Sequence, residues 1–411
     1  MTPAGAIANR RYRQLSALPG VASIRRPVTV GSDARFDLHY VRTGPVSDTP
    51  SVIIPGGPGM ASIAPYQGFR KRAAEMGLDV IMVEHRGVGM SRRDDSVADL
   101  PSEALTITAV VDDIAAVLDD AGVDTAVVYG ASYGSYLAAG MGVRHRDRVH
   151  AMVLDSPLLN RDDFDIVRHA CRELLWHGDS ALAAKVRALT EAGAFGSEDL
   201  TIAAGIYGLG GAELLGRHLD LLLDGRHLLW SAMRFVTVNV ARRKVLFHNE
   251  SDLVGPIGFR ELNFAGTPDG LPLDTTLTWS GLPAAAVGFE AEPFDLVAEM
   301  PGFRWPTVVV CGGRDLITPP AVAQRITELV PASTLVQLPN AAHSILDSQD
   351  GAALRILTAV AGGREESLPA QTDALDRLPE VASVRMGRTA LAAAARLAGA
   401  LPRFGRRRPT S

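Results

Sequence analysis

Tyr129-Gly130-Ala131-Ser132-Tyr133-Gly134 has the form Gly-x-Ser-x-Gly, and its reading decides the fold. It follows an apolar run rich in β-branched residues, Thr125 to Tyr129, and precedes a run of small residues, Ser135 to Val143. A strand that turns abruptly into a helix at a serine is a nucleophile elbow. The turn is so tight that the residues beside Ser132 must be nearly without side chains, which Gly130, Ala131 and Gly134 satisfy. The hydroxyl is then pushed out above the sheet, at the positive end of the new helix. A chain with 40 glycines also produces this spacing by chance, so the surroundings must carry the reading.

Upstream, Ala22 to Val30 and Phe36 to Arg42 read as two antiparallel edge strands around the turn Gly31-Ser32-Asp33. A third strand, Ser51 to Ile54, runs into Pro55-Gly56-Gly57-Pro58-Gly59, too rich in glycine and proline for helix or ladder. Backbone N–H groups of such a loop can hold a negative oxygen beside a nucleophile. A phosphate cradle is the alternative, but no Gly-Lys-Ser/Thr follows. Gln67 to Met76 reads as a helix and Val80 to Val83 as a strand ending in Glu84-His85-Arg86-Gly87-Val88-Gly89-Met90-Ser91. Both glycine loops and the elbow thus end strands on one crevice. His85 is a candidate base, but its place between Glu84 and Arg86 in a turn favours a structural role. Thr106 to Ala121 is an amphipathic crossover helix.

Downstream, Thr307 to Val310 resumes the core and leads to Gly313-Arg314-Asp315. After the helix Ala321 to Leu329 and the strand Thr334 to Leu338, the loop Pro339-Asn340-Ala341-Ala342-His343-Ser344 places a histidine beyond a strand end. Ser132, Asp315 and His343 stand in the chain order of an α/β-hydrolase triad. A serine is a poor nucleophile until an imidazole removes its proton, and a carboxylate fixes the tautomer of that imidazole. Asp155, at the end of the strand Met152 to Leu154, is the competing acid. Asp315 is preferred because its loop lies one strand before that of the histidine.

Between Leu159 and Met300 the strand-helix alternation stops, and helices are expected over Phe164 to His177, Ser180 to Ala192, Gly211 to Leu223 and His227 to Asn239. The expected organisation is an α/β core over 1–158 and 301–362, a helical lid over 159–300, and a basic extension over 363–411. A lid above the crevice would select substrates and exclude water. Within it, Glu250, Asp252 and Glu261 are candidates to hold a protonated amine, with an ordinary exposed loop as the alternative.

Composition bounds the rest. At 47% hydrophobic and 21% charged residues, 411 residues bury one large core with an insertion. Cys171 and Cys311 lie far apart without metal-ligand spacing and read as packed thiols; with no secretory signal and no bilayer-spanning run, the expected location is cytoplasmic. Residues 1–30 carry five arginines and residues 385–411 seven, with no acid in either, which leaves the body at 29 basic against 46 acidic residues, about −17. That field favours cationic ligands over nucleic acid. The alanine-rich Gly387 to Leu401 is helix-prone and ends near Arg406-Arg407-Arg408. The extension is expected as a partly ordered appendage.

These motifs resemble the α/β-hydrolase superfamily and, within it, the prolyl aminopeptidase family of serine peptidases, over about 35–160 and 300–360. The family's His-Gly-Gly-Pro-Gly, Asp-x-Arg-Gly-x-Gly-x-Ser, Gly-Gly-Ser-Trp-Gly, Gly-Arg-x-Asp and Gly-His stand here as Pro55 to Gly59, Glu84 to Ser91, Gly130 to Gly134, Gly313 to Asp315 and Ala342-His343. Tyr133 in the elbow is closer to the tripeptidyl aminopeptidase branch. The resemblance implies an oxyanion hole made by the N–H groups of Gly57 and Tyr133, lid carboxylates that bind a free amino terminus, and no metal or organic cofactor. The expected activity is a serine hydrolase with an acyl-enzyme, most simply an aminopeptidase on short peptides or amino-acid amides. A carboxylesterase or lactonase and a non-catalytic ligand-binding protein are the alternatives.

Overall fold

The computed structural model describes residues 3–241, 244–278 and 282–400. Eight strands form one sheet: β1 (Val21–Pro27), β2 (Arg35–Thr43), β3 (Ser51–Ile54), β4 (Val80–Val83), β5 (Ala126–Ala131), β6 (Val149–Asp155), β7 (Thr307–Gly312) and β8 (Ser333–Leu338). Their order across the sheet is β1-β2-β4-β3-β5-β6-β7-β8. The pairs β1–β2 and β2–β4 are antiparallel and every later pair is parallel. This is the mostly parallel, helix-flanked sheet that the motifs imply.

The central strands β3, β4, β5 and β7 read as nearly unbroken apolar runs because both faces are covered. Val52, Ile54, Val128, Leu154 and Val309 point to one side, where α3 (Ile107–Asp120) and α4 (Tyr133–Arg144) pack. Ile53, Val127, Tyr129, Val153 and Val308 point to the other, covered by α2 (Gln67–Glu75) and a C-terminal helix over Asp350–Ala361. Each such side chain contributes about 1.5–3 kcal/mol. An N-terminal helix, α1 (Pro3–Ser16), buries Leu15 in the second cluster; it was not expected from the sequence.

Between β6 and β7 the described residues form helices and no strands: α5 (Asp163–Leu175), α6 (Ala181–Glu191), α7 (Leu200–Leu223), α8 (Leu228–Ala241), α9 (Ser251–Val254), α10 (Pro256–Leu262) and α11 (Leu296–Glu299). They carry their own apolar cluster around Leu175, Val186, Leu215 and Trp230. Gly211, read as a helix start, is instead a kink inside α7 with φ 64° and ψ −163°, a conformation a side chain resists. After α12 (Pro320–Leu329) and β8 come α13 (Ile345–Ser348), α14 (Asp350–Ala361), α15 (Thr372–Asp376) and α16 (Ala382–Ala400).

The extension is built into the molecule as far as it is described. Leu368 and Leu375 are buried in the core, and Leu391 and Ala392 of α16 pack against the helical cluster. Its arginines Arg406 to Arg408 lie outside the described residues. Cys171 and Cys311 are buried, unpaired thiols.

Candidate active site

Ser132 sits between β5 and α4 with φ 53° and ψ −123°. The two glycines of the motif make that geometry possible for steric reasons. A Cβ on Gly130 would lie 2.1 Å from the Gly134 carbonyl oxygen, and one on Gly134 would lie 2.2 Å from that of Ile54. Such contacts exclude any side chain. The Ser132 N–H donates to the Asp155 carbonyl at 2.8 Å, which locks the elbow to β6. Gly56 brings the loop after β3 against the serine, since a Cβ there would meet the Ser132 Cβ at 3.1 Å.

Three loops at carboxyl ends of strands converge. The His343 Nε2 lies 2.9 Å from the Ser132 Oγ, and its Nδ1 lies 2.8 Å from Oδ2 of Asp315. Asp315 is buried. Its Oδ1 accepts from the N–H groups of Ile317 at 2.8 Å and Thr318 at 2.9 Å, and its Oδ2 accepts from the Thr318 hydroxyl at 2.9 Å. Burial opposes ionisation of this carboxyl, but the facing His343 and these donors outweigh it and hold the pKa below the ordinary value. Burial likewise opposes charging of His343, and Asp315 reverses that, so its pKa is raised. The arrangement can take a proton from Ser132 and stabilise the resulting imidazolium. The role of Thr318 escaped sequence reading; the available signal was Asp315 itself, whose type of side chain bonds the backbone two residues on.

Asp155, the competing acid, accepts from the N–H groups of Ile345 at 3.1 Å and Leu346 at 3.0 Å and from the Tyr129 hydroxyl at 2.9 Å. It supports the backbone just beyond His343. Burial raises its pKa to about 6. His85 has its Nε2 3.1 Å from the Tyr133 hydroxyl and its Nδ1 2.5 Å from the Arg86 carbonyl oxygen; burial lowers its pKa to about 4, so the ring is neutral.

Gly57 lies in the loop after β3 with φ 130°, and Tyr133, directly after the serine, is the first residue of α4. The later part of that loop is anchored on two sides. Glu84 is buried and accepts from the N–H groups of Ser62 at 2.6 Å, Ile63 at 3.0 Å and Met90 at 3.3 Å, with burial raising its pKa to about 6. On the far side the Glu250 N–H donates to the Gly59 carbonyl at 2.8 Å, and that of Ala61 donates to the His248 carbonyl at 2.9 Å. The helical insertion is thereby stitched to the glycine loop.

The three acidic residues proposed to read an amine all have partners within the chain. Arg92 Nη1 donates to Glu250 at 2.9 Å and to Asp252 at 3.0 Å, while Nη2 donates to Asp252 at 2.9 Å. Glu250 also accepts from the Phe247 N–H at 2.6 Å, and Lys244 reaches Asp252 at 3.2 Å. Glu261 accepts from the Ile107 N–H at 2.9 Å and from Arg260 at 2.6 Å. Arg92, 158 residues before Glu250, carried no signal of this role in the sequence.

Among the described residues no group of three or more His, Cys, Asp or Glu side chains is arranged to hold a metal ion, and no helix is long and apolar enough to cross a membrane. A family model described as the alpha/beta hydrolase fold matches residues 50–174. RutD of Caulobacter sp. (strain K31), named as a carbamate hydrolase, is 29% identical over 150 residues, covering 36% of this chain and 53% of that protein. The chain thus spans about half the length of this curated relative. Among solved structures, proline iminopeptidase of Mycobacterium smegmatis is similar at 16% identity and TM-score 0.47, covering 86% of this chain and 99% of that one. An esterase of Thermogutta terrifontis is similar at 16% identity and TM-score 0.44, covering 84% and 99%. The chain has the α/β-hydrolase fold, and the family match lies on the part of it that runs from β3 through the elbow to α5.

Proposed function

We propose that the protein is a serine hydrolase that works through an acyl-enzyme. One observation carries the reading: the His343 ring lies 2.9 Å from the Ser132 Oγ on one side and 2.8 Å from the buried Asp315 on the other. Ser132 attacks the acyl carbon while His343 Nε2 takes its proton, and Asp315 holds the tautomer and stabilises the imidazolium. The N–H groups of Gly57 and Tyr133 receive the developing oxyanion. His343 then protonates the leaving group, and water repeats the sequence on the acyl-enzyme. Residues 159–300 act as the lid. Gly208 and Gly211 of α7 support this, because a Cβ on them would meet Ala342 at 3.1 Å and Arg314 at 3.3 Å, beside the histidine and the acid. A cytoplasmic location belongs to the same reading and rests on the two unpaired thiols.

The substrate assignment that follows from the motifs is an aminopeptidase on short peptides or amino-acid amides. A carboxylesterase or lactonase is the second reading, and one observation favours it. Glu250, Asp252 and Glu261 are already paired with Arg92, Lys244 and Arg260, and a substrate ammonium would have to compete with those partners. The deciding experiment compares an amino-acyl arylamide bearing a free amino group, its N-acetylated twin and a short-chain aryl ester. Cleavage of the free amine, abolished by acetylation, establishes the aminopeptidase. Turnover of the ester alone establishes the esterase. In either case Ser132→Ala should lower turnover by ~10⁶-fold, and a loss below about tenfold would place the nucleophile elsewhere.

A further inference from the structure

The C-terminal extension reaches the site from outside the sheet. Its first part is anchored beside the histidine loop: Gln349 Nε2 donates to the carbonyls of Leu375 at 3.3 Å, Asp376 at 3.0 Å and Leu378 at 2.5 Å, and the Val381 N–H donates to Ser348 at 2.9 Å. Its second part, α16, lies on α7 and α8 of the insertion, where Arg226 donates to the Ala398 carbonyl. Within the first anchor stands Asp376, the last residue of α15.

Asp376 grips the histidine loop at Asn340. Its Oδ1 accepts from the Asn340 N–H at 2.9 Å and its Oδ2 from Asn340 Nδ2 at 2.7 Å. The remaining polar atom of that amide, Oδ1, accepts from Arg314 Nη2 at 2.5 Å. Arg314 immediately precedes Asp315, and Asn340 lies three residues before His343. The chain Asp376–Asn340–Arg314 therefore braces the leading ends of the acid loop and the histidine loop from outside, beside the backbone bond from the Arg314 N–H to the Ala341 carbonyl at 3.0 Å. The trailing ends are held separately, the acid loop by its own turn at Thr318 and the histidine loop by Asp155. With Asp376 removed, the Asn340 amide loses the charged acceptor that orients it toward Arg314, and charged acceptors make the stronger bonds.

We infer that Asp376 is a positioning residue for Ser132, His343 and Asp315: through Asn340 and Arg314 it sets the two loops against each other, and the C-terminal extension is the brace that carries it. The inference rests on the serine-hydrolase reading above. It gives the extension a kinetic role, because a base displaced by a fraction of an ångström from its acid and its nucleophile loses rate long before the fold is lost.

The test uses the full chain and a fluorophosphonate probe, with the second-order labelling rate of Ser132 measured well below the melting temperature. Asn340→Asp sets a carboxylate against Asp376 and should slow labelling by about tenfold. Asp376→Asn should slow it by about threefold, from loss of the charged acceptor. The double variant Asn340→Asp/Asp376→Asn restores the pairing with its polarity exchanged, since the amide introduced in α15 would donate to the carboxylate introduced in the histidine loop, which still accepts from Arg314. It should label within about twofold of the wild type, a coupling that a double-mutant cycle isolates. A wild-type rate in Asn340→Asp, or a double variant as slow as Asn340→Asp, overturns the inference. Should Asn340→Asp fail to fold, an unchanged rate in Asp376→Asn overturns it equally. Absence of Ser132 labelling in the wild type is a distinct result that removes the hydrolase reading and this inference together.

Discussion

Asp155 and Asp315 end or follow the adjacent parallel strands β6 and β7, yet they serve different parts of one loop. Asp315 meets the His343 ring at 2.8 Å, and Asp155 meets the N–H groups of Ile345 and Leu346 just beyond it. The first is placed to act on the tautomer of the base and the second on the position of its backbone.

Replacing each acid by its amide separates these parts. Asp315→Asn should lower kcat by ~10⁴-fold with little change in melting, because the amide holds the wrong tautomer. Asp155→Asn leaves one acceptor oxygen for two N–H groups and a tyrosine hydroxyl, and should destabilise by about 1–3 kcal/mol with a much smaller loss in kcat. Chemical denaturation and steady-state kinetics on both variants check the pair, and a larger kcat loss in Asp155→Asn would move the acid to that residue.

The pH profile carries a sign. Burial disfavours the charged His343 ring, but Asp315, with Asp155 and Asp347 farther off, holds its pKa above 6.5. A general base must be neutral, so kcat/KM should rise with pH through a midpoint above 6.5 and then level. Asp315→Asn should lower that midpoint. Stability runs the other way: the favourable charging of His343 is fully present below its unfolded pKa and is lost as pH rises through the folded one. Rate profiles and melting curves across that window measure both directions.

Two glycine substitutions should have opposite effects. Gly134→Ala places a Cβ 2.2 Å from the Ile54 carbonyl oxygen, a backbone atom that cannot move aside without shifting β3. It should cost about 1–3 kcal/mol or more and abolish labelling of Ser132. Gly387→Ala, in α16 with nothing within 4 Å of the new carbon, should raise stability by up to about 1 kcal/mol and leave labelling unchanged. Thermal melting of the two variants, read beside probe labelling, decides.

The central strands β3, β4, β5 and β7 were legible to within a few residues because each is a short apolar run, largely β-branched, with glycine or proline within or soon after it. The elbow was legible because steric exclusion at Gly130 and Gly134 is written in neighbouring residues. Elements held by their partners were not. The helix α1 carries no strong apolar stripe, and the kink at Gly211 reads as a helix start because a local window cannot register the Arg314 guanidinium beside it. Glu250 looked free for the same reason, Arg92 lying 158 residues from it.

By itself the sequence determined the sheet, the elbow and the order of the three candidate catalytic side chains, since chain order, local sterics and hydrophobic period act over a few residues. Tertiary structure decided which carboxylate meets the His343 ring, which acids are already paired, and that the C-terminal extension grips the histidine loop. Those outcomes depend on charges and hydrogen-bonding groups brought within about 3 Å from distant parts of the chain, a distance that sequence separation does not encode.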